Sequence, residues 1–92
     1  MKMFVIEREI PDVNKLNAEQ LRGAAKKSNE ALRQLAPDIQ WNHSYVVDNK
    51  TFCIYLATDA SFVAKHAELS GFPANKVSEV HRIIAPTTAR AV

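Results

Sequence analysis

The chain opens with a stretch in which apolar and polar positions alternate. In residues 3–9, Phe4 and Ile6 fall on one side while Val5 and Glu7 fall on the other. This period of two predicts a β-strand with two different faces. A proline shortly after the stretch ends the strand.

The next segment changes to a helical period. Asn17 is followed by Gln20 at the spacing of a capping box, which predicts a helix start, and Pro37 ends the helix. The positions that recur on one stripe of this helix are Leu21, Ala24, Ala25, Ser28, Leu32 and Leu35.

Residues 39–47 and 51–57 are rich in aromatic and β-branched side chains and flank Asp48-Asn49-Lys50, which predicts a β-hairpin. A second helix follows, with Thr58 or Asp59 as its N-cap and Gly71 at its end. Its side chains expected to point inward are Phe62, Val63, Ala67 and Leu69. Alternation resumes in residues 76–84 and predicts a last strand. The tail from residue 87 to 92 is expected to fray.

The order βαββαβ predicts an α+β, ferredoxin-like domain that occupies residues 1–92. Two crossovers would place both helices on one face of a four-stranded antiparallel sheet. The other face would still carry large apolar groups, which we expect a second copy to cover in a dimeric α+β barrel or sandwich. The side chains considered for this face are Val5, Tyr55, Ile83 or Ile84, Trp41 and Tyr45.

The register of the hairpin decides which side chains reach the uncovered face, because a slip of one residue reverses every side chain. A two-residue turn at Asp48-Asn49 pairs His43 with Ile54 and was expected to bury His43 beneath the helices. A three-residue turn through Lys50 pairs His43 with Tyr55 instead. Asp-Asn suits the short turn, but a buried imidazole needs a partner, so we expect the longer turn. It gathers His43, Tyr45, Cys53 and Tyr55 on the uncovered face.

On that interpretation, the interior between two sheets collects imidazole, thiol and carboxylate groups that together suit a divalent transition metal. Glu79, on the last strand, is expected on the same face. The candidate ligands are His43, Cys53, Glu7, His66 and His81. Each also has an ordinary structural interpretation: a hydrogen-bonded strand or helix residue, a small apolar side chain, or an exposed one. Glu7 is the most costly to bury without a cation or donors.

Composition limits the remaining function classes. The 92 residues carry a formal net charge of +2, and 24% of them are charged, so nothing suggests a nucleic-acid partner. No apolar run approaches a bilayer span. The single cysteine fits a reducing compartment, and we expect a cytoplasmic protein. Familiar catalytic motifs are absent from the sequence, so an enzyme is the less favoured interpretation.

Three stretches resemble one small bacterial family of domains of unknown function, some members of which are named nickel-binding proteins: residues 41–46 (WNHSYV), residues 52–57 (FCIYLA), and residues 66–67 with 71–74 (HA and GFPA). Glu7-Arg8 and Pro86 also fit the resemblance. It implies a ferredoxin-like domain, usually dimeric, with metal binding as its biochemical property. Nickel as the metal is implied by this resemblance alone.

Three functions therefore stand as hypotheses. The favoured one is a dimeric, non-catalytic protein that binds nickel or another divalent transition metal. The second is a dimeric α+β barrel enzyme or small-molecule-binding protein for an aromatic or quinone-like ligand, with Trp41, Tyr45 and Tyr55 lining the pocket. The third is a module that only dimerises.

Overall fold

The chain folds into one four-stranded sheet with two helices against one of its faces. The computed structural model describes residues 1–90, and the last two residues of the predicted frayed tail lie outside this range. The elements are β1 (Lys2–Glu9), α1 (Ala18–Leu35), β2 (Ile39–Val46), β3 (Lys50–Ala57), α2 (Ala60–Ser70) and β4 (Lys76–Val80), with short 3₁₀-helices at Val13–Lys15 and Pro86–Arg90.

The strands lie in the order β2-β3-β1-β4, and every neighbouring pair is antiparallel. The first and third strands are therefore central, and each helix connects a central strand to an edge strand. This is the ferredoxin-like α+β arrangement that the order of predicted elements indicated, and the prediction is confirmed.

The hydrophobic core lies between the helices and one face of the sheet. Alternation along β1 and β3 brings their buried side chains to this face, and α2 packs Val63 against them. Buried members of the core are Phe4, Ile6, Ile39, Cys53, Tyr55, Ala57 and Val63, and the partly buried residues packed on them are Leu32, Leu35, Trp41, Phe62 and Ala74.

Both helix starts follow the local sequence. Asn17 accepts from the Gln20 N–H at 2.8 Å, and the Gln20 side chain accepts from the Asn17 N–H at 3.0 Å, which completes the capping box. Asp59 caps α2 by accepting from the Ser61 N–H. Gly71 ends α2 at φ 76°, a conformation that favours glycine.

The inward face of α2 differs from the expectation at one position. Val63 and Phe62 pack on the core as predicted, whereas Leu69 is 48% exposed. His66 is fully buried instead. An imidazole rather than a leucine therefore occupies the space between this helix and the sheet.

The last strand is shorter than the predicted 76–84. Its ladder with β1 ends where Val80 pairs with Met3, close to the start of β1. Beyond that point few partner residues remain, and Ile83 and Ile84 are 73% and 87% exposed. The expectation that either isoleucine lies on the uncovered sheet face is therefore wrong.

The hairpin has the short register, so the expected longer turn is wrong. The Val47 N–H donates to the Lys50 carbonyl at 3.0 Å, which closes a two-residue turn at Asp48-Asn49. Tyr45 accordingly pairs with Phe52.

A β-bulge at Asn42 places Trp41 and His43 on opposite faces of the sheet, which the sequence did not reveal. Trp41 pairs with Tyr55 on the helix-covered face, and His43, two residues later, pairs with Ile54 on the opposite face. In a regular strand Trp41 and His43 would share a face. The short turn by itself pairs His43 with Ile54 and so places it on the open side of the sheet, which makes the expected burial of His43 by that turn wrong. The additional residue of the bulge changes the face of Trp41 and brings it to the core.

The face of the sheet away from both helices is called here the open face. Half-buried apolar side chains from three strands form its centre: Met3, Val5, Phe52, Ile54, Leu56 and Val80. Val5 and Tyr45 lie there as expected. Tyr55 and Trp41 lie on the helix-covered face, so their placement on the open face is corrected.

We expect loss of the α1 cap to destabilise the fold. Asn17→Ala removes the acceptor for an otherwise unpaired helix N–H and should lower the free energy of unfolding by about 1 kcal/mol. Asn29→Ala is the matched control, because Asn29 is exposed within α1 and alanine favours helices. Urea denaturation of both variants measures the difference. Equal stability of Asn17→Ala and wild type would contradict the role of the cap.

Candidate functional site

The structure separates the five predicted metal ligands into three locations. Glu7 and His43 lie on the open face, Cys53 and His66 lie in the helix-covered core, and His81 follows the end of β4. Within residues 1–90, no group of three or more His, Cys, Asp or Glu side chains is close enough to hold one metal ion. One copy of the chain therefore does not assemble the predicted ligand set.

The two open-face candidates are accessible donors. His43 is exposed, with its Nδ1 3.3 Å from the Asn42 side-chain oxygen and its ring edge-on to Tyr45 at 4.9 Å. Glu7 is half-buried, and its Oε1 lies 3.8 Å from the Lys50 ammonium. Its carboxylate can still accept a second cation, since this ion pair is long and partly solvated.

Cys53 and His81 have surroundings that suit structural roles. The Cys53 thiol is buried and donates to the Thr51 hydroxyl at 3.5 Å. His81 has an 80% exposed side chain, and its Nδ1 lies 3.4 Å from Glu79. Glu79 pairs with Phe4, so it belongs to the helix-covered face and not to the open face as expected.

The predicted ligand pocket is divided in the same way. Tyr45 lies on the open face, whereas Trp41 and Tyr55 line a cavity of about 360 Å³ on the other side of the sheet. We call this space the helix-side cavity. It is a partly open space lined by the sheet, by the first half of α1 and by Val13 of the first 3₁₀-helix, and most of its wall is apolar.

A buried arginine lies at the wall of the helix-side cavity. Arg8 is only 3% exposed, and its Nη1 donates to the Pro73 carbonyl at 2.7 Å. Its Nη2 is buried and has no acceptor among residues 1–90. Arg8 was not among the predicted site residues, although the alternation of β1 places it on the same face as Phe4 and Ile6 and so predicts a charge in the core.

Three hydrogen-bonding side chains lie beside the arginine, whose guanidinium carbon is 6.0 Å from the centroid of the Tyr55 ring. The Ser28 hydroxyl lies 3.0 Å from His66 Nε2 and 3.5 Å from the Tyr55 hydroxyl. His66 Nδ1 is buried without a partner in the described part of the chain. We call Arg8, Ser28, Tyr55 and His66 the buried polar cluster.

Burial and charge set the protonation states within this cluster. Desolvation, followed by the positive charge of Arg8, lowers the pKa of His66 from 6.5 to about 4. Burial raises the pKa of the Tyr55 hydroxyl above its ordinary value. At neutral pH the cluster therefore contains a neutral imidazole, a protonated phenol and one uncompensated cation.

The architecture and its two contrasting faces define a class of protein: a small ferredoxin-like domain with an apolar open sheet face and a buried arginine beneath its helices. No helix among the described residues is long and apolar enough to cross a membrane. The family model SCO4226-like, described as nickel responsive protein, matches residues 4–80. The chain belongs to this family, as the sequence resemblance indicated.

A solved structure supports the same fold. The crystal structure of SCO4226 from Streptomyces coelicolor A3(2) aligns with a TM-score of 0.73 and covers 89% of this chain and 99% of that one. The two sequences are 14% identical, so the likeness is one of fold. No curated protein matches the sequence.

The low pKa of His66 makes the stability of the fold depend on pH. Between pH 6.5 and about 4 the unfolded chain binds a proton that the folded chain excludes. The stabilisation is fully present above pH 6.5 and is lost on acidification, by up to about 3 kcal/mol.

Urea denaturation from pH 7 to pH 4 measures this dependence. His66→Gln should show a flatter profile, whereas Asn29→Ala, which removes no titratable group, should keep the wild-type profile. A profile that His66→Gln leaves unchanged would contradict the assignment.

Proposed function

We propose that the protein is a non-catalytic, nickel-responsive homodimer in which two open faces pack together and hold Ni²⁺ between them. Family membership supports nickel as the ion. The observation that carries the proposal is that the open face combines an uncovered apolar surface with two accessible metal donors, His43 and Glu7.

The apolar centre of the open face supports dimerisation. Six large apolar side chains at its centre are only half-buried, and neither helix packs over them. Contiguous apolar patches of this kind are typical of protein interfaces. A second copy is the simplest partner, because a two-fold axis brings identical apolar faces together.

The positions of the donors support a site shared by two copies. A single chain offers His43 and Glu7, which is too few for a transition metal, and a two-fold pair doubles them to two imidazoles and two carboxylates. Nitrogen and oxygen donors of this kind suit Ni²⁺. The ion would also neutralise Glu7, whose burial in a dimer interior is otherwise costly.

The proposed compartment is the cytoplasm. Cys53 is the only cysteine of the chain, and its thiol is free and buried. A reducing environment keeps such a thiol in this form.

Removal of the open-face imidazole should weaken nickel binding. His43→Ala removes a proposed ligand from each copy, and isothermal titration of untagged protein with NiCl₂ should show a loss of affinity of at least about tenfold. Glu7→Gln should also weaken binding, because the neutral amide is a poorer ligand. His81→Ala is the matched control: it removes an exposed histidine outside the open face, and its affinity should equal that of the wild type.

Two results would contradict the nickel site. One is equal affinity in wild type and His43→Ala. The other is an equal loss in His43→Ala and His81→Ala, which would indicate unspecific binding by exposed imidazoles.

A charge on the open face should separate the two copies. Light scattering should give twice the chain mass of 10.3 kDa for the wild type and the single-chain mass for Ile54→Asp. Leu69→Asp is the control, because Leu69 is an exposed leucine on α2. A wild type that is monomeric with and without NiCl₂, or an Ile54→Asp variant that remains dimeric, would contradict the proposed interface.

A further inference from the structure

We propose that the helix-side cavity is a second binding site, and that it takes a small carboxylic acid with an apolar body whose carboxylate is bound by Arg8. This site lies on the opposite side of the sheet from the open face. It therefore requires neither the dimer nor the nickel site.

The first argument is the uncompensated charge of Arg8. Guanidinium groups are buried almost only when a carboxylate or phosphate pairs with them. Among residues 1–90, the observed ion pairs use Lys15, Lys50 and His81, and none includes Arg8. Two backbone carbonyls and two aromatic rings surround it, and they supply partial charge only. A ligand carboxylate would supply the missing negative charge.

The second argument is the set of free donors around that position. Arg8 Nη2 has no acceptor in the described structure, although it is buried. Tyr55 and Ser28 also line the cavity, and their hydroxyls lie 3.5 Å apart. The raised pKa of Tyr55 keeps its hydroxyl protonated, so it can donate to an anion. Because the Ser28 hydroxyl already contacts His66 Nε2, the Arg8 guanidinium and the Tyr55 hydroxyl are the donors that remain for a carboxylate.

The third argument is the apolar remainder of the wall. Leu16 faces the cavity from the segment that leads into α1, and Leu21 and Ala25 face it from the helix itself. Trp41 and Val46 line the sheet side. Burial of a hydrocarbon chain or an aromatic ring against these groups is favourable. The volume lies within the range of small-molecule sites.

The same features disfavour inorganic phosphate and sulfate as ligands. A doubly charged anion needs several charged or backbone donors on all of its oxygens, as at a helix N-terminus or a glycine-rich loop. The cavity supplies one guanidinium and a few hydroxyls within a mostly apolar wall. A monocarboxylate matches both the single charge and the apolar surface.

Decanoate and hydrocinnamate are suitable probes of the proposal, since one has a flexible and the other an aromatic body. Trp41 is the only tryptophan of the chain and lines the cavity, so its fluorescence reports binding directly. Titration of the full untagged chain, below the micelle concentration of decanoate, should show a saturable change with at least one probe. Decanol, which has the same body without the charge, should bind at least about tenfold more weakly.

Two variants test separately the guanidinium of Arg8 and the free volume of the cavity. Arg8→Met should weaken carboxylate binding by at least about tenfold. Its thermal unfolding temperature without ligand should not fall by much, because an uncompensated buried charge is removed. Ala25→Leu fills the cavity while leaving Arg8 intact, and it should abolish the response to both probes. Ile54→Asp, on the open face, should bind like the wild type.

Three outcomes would overturn the proposal. The first is the absence of a saturable response to either carboxylate. The second is binding of decanol as tight as that of decanoate, which would indicate an apolar cavity without anion recognition. The third is unchanged binding in Ala25→Leu, which remains decisive if Arg8→Met fails to fold. Because Ile54→Asp tests the dimer separately, failure of one proposal is distinguishable from failure of the other.

Discussion

Alternation of side chains across the sheet is the constraint on which the rest of the structure depends. The two central strands carry apolar groups on both faces, and the two helices of the chain cover only one of them. The helices bury Phe4 and Ile6, whereas Val5 and Ile54 remain half-buried on the open face. The helices thus cover one side of the sheet and leave an apolar surface on the other.

The sequence predicted the elements well because each is determined locally. Capping groups, prolines and Gly71 defined the helix ends, and alternation defined β1. The site was predicted less well because it depends on how the strands pair, which local signals determine only in part. Asp48-Asn49 favoured the short turn, but the bulge at Asn42 is visible only when β2 is paired with its neighbour. That bulge decides that Trp41 lies on the helix-covered face, whereas the short turn, which pairs His43 with Ile54, places His43 on the open face.

The buried polar cluster could be predicted from the sequence only in part, for a different reason. The position of Arg8 on the core face follows from counting along β1 from Phe4, so its burial was predictable. Its lack of a counter-ion was not, because that depends on every element packed around it. His66 likewise required the packing of α2 against α1, which brings it to Ser28. The two faces therefore carry separate chemistry: exposed donors on the open face, and a cation beneath the helices.

The central claim is that a second copy covers the open face. Isotope-filtered NOE spectra of an equal mixture of labelled and unlabelled chains test it directly, because they detect only contacts between copies. We expect intermolecular NOEs to the methyl groups of Val5 and Ile54, and none to Val63, which is buried within each copy. Intermolecular NOEs confined to the helices, or none from the open face with and without Ni²⁺, would contradict the account.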